Sequence, residues 1–273
     1  MEKIHRNERL ITMMKILSDS PNKVFTLSNF CDLFGAAKST MSEDIDILQK
    51  TSGIFELGKI ETVTGAAGGV RYRCSNTGSH ALRFIEALSE RLSGNERVLP
   101  GGFLYLSDIL SDPNVVRPMG EILASGYYAD APDFVLTMET KGIPVAYATA
   151  NALGVPLVIA RHSSRVYEGS AVNINYVSGS GSIETMSLSR RAVRENQRAL
   201  IVDDFLKGGG TAKGMTDLMR EFDVTVVGMA FVMATLTPEK KRVSNAKALM
   251  TLDVLELDDQ EIASVKPAAW LNG

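Results

Sequence analysis

Several features that mark secreted, membrane-bound or metal-dependent proteins are absent from this sequence of 273 residues. The two cysteines, Cys31 and Cys74, lie in apolar contexts and make no disulfide framework, and the three isolated histidines lack the spacing of metal ligands. Neither a signal peptide nor an apolar run long enough to cross a bilayer occurs. We therefore expect reduced core thiols, no metal site, no membrane contact and a cytoplasmic location.

A large excess of charge of either sign is also lacking. The net charge is −3, so the overall composition does not mark a nucleic-acid-binding protein. With 45% hydrophobic residues, the chain has room for two domains with apolar cores. We predict an α/β protein with one domain over residues 1–75 and a second, beginning with a linker helix, over residues 76–273.

The N-terminal region has the pattern of three short helices and a hairpin. Apolar residues at helical spacing predict the helices, and the third begins near Ser39 or Thr40, with a capping box between Thr40 and Glu43. The apolar period then changes to two, and segments 59–64 and 70–74 flank a glycine-rich loop, which predicts a hairpin.

Three helices followed by a hairpin resemble a winged helix-turn-helix. In that module the third helix enters the DNA major groove, and the hairpin, or wing, contacts the backbone or the minor groove. The candidate DNA-binding residues are Lys38, Ser39, Thr40 and Ser42 on the third helix and Arg71 and Arg73 on the outer face of the wing.

The charge balance of this domain argues against strong DNA binding by bulk attraction. Residues 1–75 contain ten Lys and Arg but also nine Asp and Glu, and affinity for arbitrary DNA depends on phosphate neutralisation. Glu43, Asp44 and Asp46 on the third helix oppose DNA unless they point away from it. A small helical dimerisation domain is the alternative interpretation, whereas a symmetric dimer would present two DNA-binding faces.

Strands and helices alternate in the remainder of the chain, which predicts a mostly parallel sheet. The break at residues 93–95 predicts a domain junction, and residues 238–242 are predicted to form a solvated turn. The predicted strands are 133–138, 156–160, 199–202, 224–235 and 249–257, with a second hairpin at 172–177 and 183–188.

The most informative stretch runs from Ala199 to Gly214. A short apolar run predicts a buried parallel strand, and Asp203 and Asp204 follow at its carboxyl end, where α/β sheets bind ligands. Three glycines and Thr211 then open a helix, so that exposed N–H groups and the helix dipole form a cradle for a phosphate. Carboxylates repel phosphate but accept hydrogen bonds from sugar hydroxyls. The stretch predicts a ribose 5-phosphate site, although an ordinary strand–turn–helix is the simpler alternative.

This stretch resembles the phosphoribosyl pyrophosphate (PRPP) motif of type I phosphoribosyltransferases. Residues 139–144 correspond to the pyrophosphate loop of that fold, and the hairpin at 172–188 stands where the family has its flexible loop. The resemblance implies that PRPP binds here, with Mg²⁺ as a candidate companion ion. The implied effector-binding residues are Asp203, Asp204, Lys207, Gly208, Gly209, Gly210, Thr211 and Ala212 together with Thr140, Lys141, Gly142 and Arg161.

The whole chain resembles the PurR family of purine-operon regulators of Gram-positive bacteria. The resemblance is carried by segments 36–44, 65–70, 96–102, 140–144, 175–180 and 203–211. It implies a homodimeric transcription factor that binds double-stranded DNA at purine genes, senses PRPP as an effector and has no catalytic residues. Lys207 is unusual among the enzymes but agrees with the regulators, whereas Gly208 stands where the regulators have alanine.

Two other classes of protein remain open. An adenine or xanthine phosphoribosyltransferase with an added N-terminal module would share most motifs. Against it, His162 follows Arg161 where such enzymes place a lysine, and no segment is available to enclose a base. An RNA-level regulator with the same sensor is a weaker alternative. The sequence leaves open the sign of regulation, the operator and whether nucleotides or guanosine alarmones compete with PRPP.

Overall fold

The computed structural model describes residues 4–65, 68–74, 78–99, 103–164, 169–178, 181–257 and 260–272. They form two compact units. The first contains the described residues up to Cys74 together with Asn151–Gly154, and the second contains the other described residues from Gly78 onward. The predicted boundary between residues 75 and 76 lies outside the described residues, as do 66–67, 100–102 and 179–180 of the predicted loops. Within the described ranges, no helix is long and apolar enough to span a membrane.

The first unit consists of three helices and a two-stranded antiparallel sheet, which is the arrangement of a winged helix-turn-helix. Thr26 caps the second helix by accepting a hydrogen bond from the Asn29 N–H group, and Gly35 ends that helix in the left-handed conformation. The elements are α1 (Arg6–Asp19), α2 (Leu27–Phe34), α3 (Lys38–Ile54), β1 (Lys59–Val63) and β2 (Gly69–Arg73).

Apolar side chains from all these elements are buried in the first unit. Burial of a large apolar side chain contributes about 1.5–3 kcal/mol, so this set accounts for much of the unit's stability. Leu33 of α2 is 47% exposed, and Cys31 is only partly buried, whereas Cys74 is buried as expected. The buried residues include Met13, Leu17, Phe30, Met41, Ile45, Leu48, Ile60, Val70 and Tyr72.

The start of α3 differs from the prediction. The helix begins at Lys38, Ala37 occupies the N-cap position, and no described side chain caps it. The predicted capping box between Thr40 and Glu43 is therefore wrong. Glu43 Oε2 instead lies 2.7 Å from Arg6 Nη2, a pairing across 37 residues that no local pattern discloses.

The second unit alternates helices and strands over most of its length. Its helices are α4 (Ser79–Leu92), α5 (Ser107–Leu110), α6 (Pro113–Ser125), α7 (Ile143–Leu153) and α8 (Gly210–Arg220), with a 3₁₀ turn at Ala269–Asn272. Its strands are β3 (Val98–Leu99), β4 (Phe103–Leu104), β5 (Phe134–Met138), β6 (Leu157–Ala160), β7 (Ala171–Val177), β8 (Ile183–Ser189), β9 (Arg198–Leu206), β10 (Thr225–Thr235), β11 (Ala246–Leu257) and β12 (Gln260–Pro267).

The central sheet of this unit has six strands in the order β12-β11-β10-β9-β5-β6. The pairings β11–β10, β10–β9, β9–β5 and β5–β6 are parallel, and the β11–β12 pairing is antiparallel. This confirms the predicted mostly parallel sheet. The sequence pattern does not predict β12. Strands β7 and β8 form the separate predicted hairpin.

The predicted junction at residues 93–95 is wrong, because these residues bond to the edge of the central sheet. Gly94 and Ala263 exchange backbone hydrogen bonds of 2.9 Å in both directions. Ser93 Oγ accepts a 3.1 Å hydrogen bond from the Val265 N–H group. The helix α4 therefore belongs to the second unit.

Strand β9 places the acid pair at the carboxyl edge of the sheet. Its residues Leu200, Ile201 and Val202 have no exposed surface, because β5 and β10 flank the strand and α8 packs against it. The strand continues beyond this apolar run, and Asp203 still pairs with Phe231 of β10. The carboxylates are thus held by regular sheet rather than by a loop.

Candidate functional site

A cleft of about 440 Å³ opens at the carboxyl ends of β5 and β9, the edge where open α/β sheets bind ligands. Most of the predicted effector residues meet in its wall. Gly142 and Arg161, which the structure also describes, are not part of that wall. The predicted residues in the wall are Thr140, Lys141, Asp203, Asp204, Lys207, Gly208, Gly209, Gly210, Thr211 and Ala212.

The glycine-rich turn joins β9 to α8 in a conformation that leaves backbone donors exposed. Gly209 has φ +80° and occupies the N-cap position, and no described side chain caps α8. The first N–H groups of a helix have no acceptor within the helix. At Gly210 a Cβ atom would overlap the carbonyl oxygen of Val177, so the turn can lie this close to the hairpin only with glycine. The donors and the helix dipole together favour an anion.

Beside this turn, the two aspartates form a buried acid pair. Asp203 is 8% exposed, and its Oδ1 accepts a 3.0 Å hydrogen bond from the Asp204 N–H group. Burial raises the pKa of Asp203 well above its ordinary value, and the Asp204 carboxylate adds to that rise. Burial also raises the pKa of Asp204, while the Lys141 ammonium opposes part of the rise. Such a pair favours a ligand that donates hydrogen bonds or brings positive charge.

The turn after β5 forms the opposite wall of the cleft. Thr140 and Lys141 line it, and the Glu139–Thr140 peptide bond is cis. Gly142 lies behind them, where a Cβ atom would overlap Asp203 Oδ1. Its role in this structure is therefore to admit the buried carboxylate, which differs from the expected direct contact with the effector.

Two carboxylates outside the acid pair, Glu139 and Glu184, contact Arg161 and His162 near this turn. Glu139 Oε1 accepts a 2.6 Å hydrogen bond from the His162 N–H group, and Glu139 Oε2 lies 3.4 Å from Arg161 Nη1. His162 Nδ1 is 3.7 Å from Glu184 Oε2 across the cleft. Glu139 and Glu184 both line the cleft. Neither is among the predicted effector-binding residues, although Glu139 lies in the predicted pyrophosphate loop and Glu184 in the predicted hairpin.

The β7–β8 hairpin closes one side of the cleft through Tyr176. The Tyr176 hydroxyl donates a 2.8 Å hydrogen bond to Glu184 Oε2, and burial raises the pKa of the phenol far above its ordinary value. At Gly214 a Cβ atom would lie 2.9 Å from the Tyr176 ring. The hairpin is therefore packed directly against the first turns of α8.

The segment after β10 is largely exposed, as predicted for residues 238–242, but it also contacts the glycine turn. The Arg242 N–H group donates a 3.0 Å hydrogen bond to the Gly208 carbonyl oxygen, and Arg242 Nη1 lies 3.4 Å from the Val177 carbonyl oxygen. Lys241 Nζ donates a 3.0 Å hydrogen bond to Thr235 Oγ1, and burial lowers the pKa of this lysine. The prediction that this segment is only a solvated turn is therefore wrong.

The acid pair has the oxygen donors that suit Mg²⁺. Among the described residues, however, no group of three or more His, Cys, Asp or Glu side chains is placed to hold a metal ion. A divalent cation would therefore need ligand oxygens in addition to those of Asp203 and Asp204. This requirement fits an ion that arrives bound to a pyrophosphate.

In the first unit, the predicted polar residues at the start of α3 are exposed or partly exposed, and one acid of this helix, Asp44, is neutralised by two arginines of α1. Asp44 has no exposed surface, and its two carboxylate oxygens lie 3.1 Å from Arg6 Nε and 2.7 Å from Arg9 Nε. It therefore points away from any DNA at the outer face of the helix, whereas Asp46 is exposed. The predicted contact residues Lys38, Ser39 and Ser42 are exposed, and Thr40 is partly exposed.

The wing arginines lie on the outer face of the β1–β2 hairpin, but Glu61 binds both of them. Glu61 Oε2 is 3.0 Å from Arg71 Nη2 and 3.2 Å from Arg73 Nη1. Arg73 Nε also donates a 3.1 Å hydrogen bond to Asn22 Oδ1. These arginines are therefore held by protein groups in this structure.

The fold and the cleft define a protein in which a winged helix-turn-helix unit is combined with a phosphoribosyltransferase-like domain. The family described as bacterial purine repressor, N-terminal, matches residues 5–74, and the phosphoribosyl transferase domain family matches residues 107–267. The adenine phosphoribosyltransferase of Rhodothermus marinus superposes with a TM-score of 0.54 at 20% identity, covering 62% of this chain and 99% of that one. This similarity shows the fold of the second unit.

Curated relatives match nearly the whole chain. The probable purine biosynthesis transcriptional regulator PurR of Streptococcus pneumoniae is 41% identical over 95% of both chains. The repressor PurR of Bacillus subtilis is 40% identical over 95% of this chain and 92% of its own. The activator PurR of Lactococcus lactis is 38% identical over 94% of this chain and 95% of its own.

The chain belongs to the PurR family of purine biosynthesis transcriptional regulators, which confirms the predicted family and fold class. A xanthine phosphoribosyltransferase of Geobacillus thermodenitrificans is 34% identical, but it matches only 55% of this chain. The relatives that match the whole chain carry the names of regulators, and this supports the predicted class of regulator over that of enzyme.

Proposed function

We propose that this protein is a cytoplasmic, homodimeric, DNA-binding regulator of purine biosynthesis and salvage genes that responds to PRPP. The observation that carries the proposal is the juxtaposition, in one cleft, of the Asp203–Asp204 pair with the uncapped N-terminus of α8. A ribose 5-phosphate has hydroxyls that can donate hydrogen bonds to the two carboxylates and, at its other end, a phosphate that can bind at the N-terminus of α8. The whole-chain relatives named as purine biosynthesis regulators support the choice of genes.

In this proposal the effector is bound through three groups of contacts. Asp203 and Asp204 accept hydrogen bonds from the ribose hydroxyls, which relieves the mutual repulsion of the two buried carboxylates. The N–H groups from Gly208 to Ala212 and the Thr211 hydroxyl bind the 5-phosphate. Lys141 binds the pyrophosphate, with Thr140 beside it and Mg²⁺ supplying charge neutralisation.

We infer further that the bound PRPP is not consumed. Transfer requires a base held in line with C1 of the ribose. On this side of the cleft His162 occupies the position where related enzymes place a lysine, and its ring faces the Glu184 carboxylate. A sensor without turnover needs the ribose and phosphate contacts but no base site.

The DNA-binding part of the proposal rests on the first unit. The exposed Lys38, Ser39 and Ser42 lie at the start of α3, the helix that enters the major groove in winged helix-turn-helix proteins. The burial of Asp44 beneath Arg6 and Arg9 removes one of the acids that oppose this placement. A homodimer would repeat these contacts on two half-sites.

The decisive experiment is a mobility-shift titration with DNA from upstream of purine biosynthesis genes, with and without PRPP and Mg²⁺. We expect specific binding whose affinity changes with PRPP concentration. Parallel incubations with PRPP and adenine or xanthine serve as the turnover control, and we expect no nucleotide. Nucleotide formation at an ordinary enzymatic rate would establish the phosphoribosyltransferase alternative instead.

A further inference from the structure

On the outer face of the wing, three cationic side chains surround one carboxylate. The register of β1 and β2 pairs Glu61 with Arg71 and Lys59 with Arg73, while Ile60 and Tyr72 face the core. Besides its two arginine contacts, Glu61 places Oε1 3.0 Å from Lys59 Nζ. Three cations and one anion thus share a small surface, and Glu61 contacts each of the three cations.

Glu61 is well placed to remain ionised. Its side chain is 18% exposed, and those of Arg71 and Arg73 are 23% and 21% exposed. Burial by itself raises the pKa of Glu61, but the hydrogen bonds and charges of the surrounding cations outweigh this and bring the pKa below its ordinary value. At neutral pH the four groups therefore carry a net charge of +2, from three positive charges and one negative.

Half of the other described Lys and Arg residues of the first unit are also paired with acids. Arg6 and Arg9 contact Asp44, Arg6 also contacts Glu43, and Lys15 contacts Asp19. Within the described part of this unit, the lysines outside ion pairs are Lys23, Lys38 and Lys50. The wing is therefore the largest concentration of positive charge in the unit, and Glu61 is the group that limits its effect.

We infer that Glu61 is a specificity-determining residue that restrains Arg71 and Arg73 from binding arbitrary DNA phosphates. The inference rests on the proposed DNA-binding function. A phosphate that approaches the wing competes with a carboxylate already bound to both arginines, so the sequence-independent part of the affinity stays small. Discrimination between DNA sequences then depends on α3 and on the two-fold repetition of its contacts.

The test compares Glu61→Gln with Glu56→Gln in the full-length protein. Both changes remove one negative charge from the same unit, but Glu56 is exposed and makes no ion pair with any described residue. Dissociation constants are measured for purine-gene control DNA and for a random duplex of equal length at several salt concentrations. Thermal unfolding establishes that each variant is folded.

For Glu61→Gln we expect random DNA to bind about fivefold to tenfold more tightly at 0.1 M salt for each arginine released, with the salt slope steeper by about 0.9 per phosphate contact. Affinity for control DNA should rise less, so the specificity ratio falls. Glu56→Gln should leave that ratio near the wild-type value. An unchanged or weakened affinity of Glu61→Gln for random DNA would overturn the inference.

A second variant keeps the inference testable if Glu61→Gln does not fold. In the wild-type background Arg71→Gln should leave the salt slope for random DNA nearly unchanged, because Arg71 is already bound to Glu61. A decrease of the slope by about one would show that Arg71 already contacts phosphate, and the inference would be wrong. A wild-type protein that binds neither DNA would refute the proposed function itself, and the inference with it.

Discussion

At the scale of single residues, Asp203 combines burial, negative charge and an adjacent carboxylate. Its pKa is raised in the folded chain, so the folded state retains a proton at pH values where the unfolded chain has released it. The contribution of this group to the free energy of unfolding is therefore greatest below the ordinary pKa of aspartate. It declines as the pH rises from there through the raised value.

We predict that Asp203→Asn makes the protein without effector more stable at neutral pH. The substitution retains an oxygen that accepts the Asp204 N–H hydrogen bond but removes the buried charge. The gain should be present at neutral pH, where the buried carboxylate is costly, and should decline as the pH falls towards the ordinary pKa of aspartate. Chemical denaturation at neutral pH and near that ordinary pKa measures it, with the exposed Asp46→Asn as control. Equal destabilisation at both pH values would contradict the prediction.

The same pair should be needed for the effector response but not for DNA binding. In the double variant Asp203→Ala and Asp204→Ala, two acceptors are lost while the backbone of the strand and turn remains. Each lost hydrogen bond to a charged group costs ~1.5–3 kcal/mol, so PRPP affinity should fall by about a hundredfold or more. Operator affinity without PRPP should equal that of the wild type.

The readout for this variant is operator affinity as a function of PRPP concentration. A repressor so altered would repress permanently, whereas an activator would be inactive. If the double variant kept the PRPP response of the wild type, the effector site would lie elsewhere and the aspartates would be only structural.

At the scale of elements, the β9–α8 turn distinguishes glycines that are required from one that is not. A Cβ atom at Gly208 would meet no atom within 4 Å, whereas one at Gly210 would overlap the Val177 carbonyl oxygen. We predict that Gly208→Ala leaves PRPP affinity within about twofold of the wild type. Gly210→Ala should weaken it by roughly tenfold to a hundredfold, because relief of an overlap of this kind costs ~1–3 kcal/mol.

Calorimetric titration with PRPP compares these two variants directly, and thermal unfolding reports any loss of the fold. Equal affinities for the two variants would mean that the hairpin yields freely and that its contact with the turn does not shape the cleft.

Elements whose partners are close in the chain can be predicted from local pattern. The β1–β2 and β7–β8 hairpins and the strand–turn–helix stretch from Ala199 to Gly214 belong to this group. Strand β12 follows β11 directly, but its other edge bonds to residues 93–94, which are distant in the chain and leave no local pattern. The apolar residues of a lone edge strand are too few to mark it by themselves.

The cleft shows the same division. The acid pair and the glycine turn follow from one continuous motif, whereas Glu139 and Glu184 enter through contacts with Arg161 and His162 that join separate elements. Glu61 is a comparable case, since alternation places it outward but does not indicate that it binds both wing arginines. Long-range ion pairs depend on the tertiary arrangement.

At the scale of the whole molecule, the proposed homodimer makes a quantitative prediction for Lys38. This lysine is exposed in the first turn of α3 and, within the described residues, pairs with no acid. A dimer bound to two half-sites uses it twice. Lys38→Ala should therefore lower the salt slope of operator binding by about two, since each phosphate contact contributes about 0.9.

Lys15→Ala is the matched control, because Lys15 lies on α1 and already contacts Asp19. It should leave the slope unchanged. A decrease of about one for Lys38→Ala would indicate that a single copy of the helix contacts DNA, which contradicts symmetric binding.

The buried acid pair also has a consequence for how long the protein persists in a cell. Two adjacent carboxylates without a ligand lower the stability of the folded chain, and a ligand that binds only the folded form restores it in proportion to the logarithm of its concentration. Intracellular proteases act on the small fraction of molecules that is unfolded. In the proposed function PRPP is that ligand, so the half-life of the protein, and hence its abundance, should increase with the supply of PRPP.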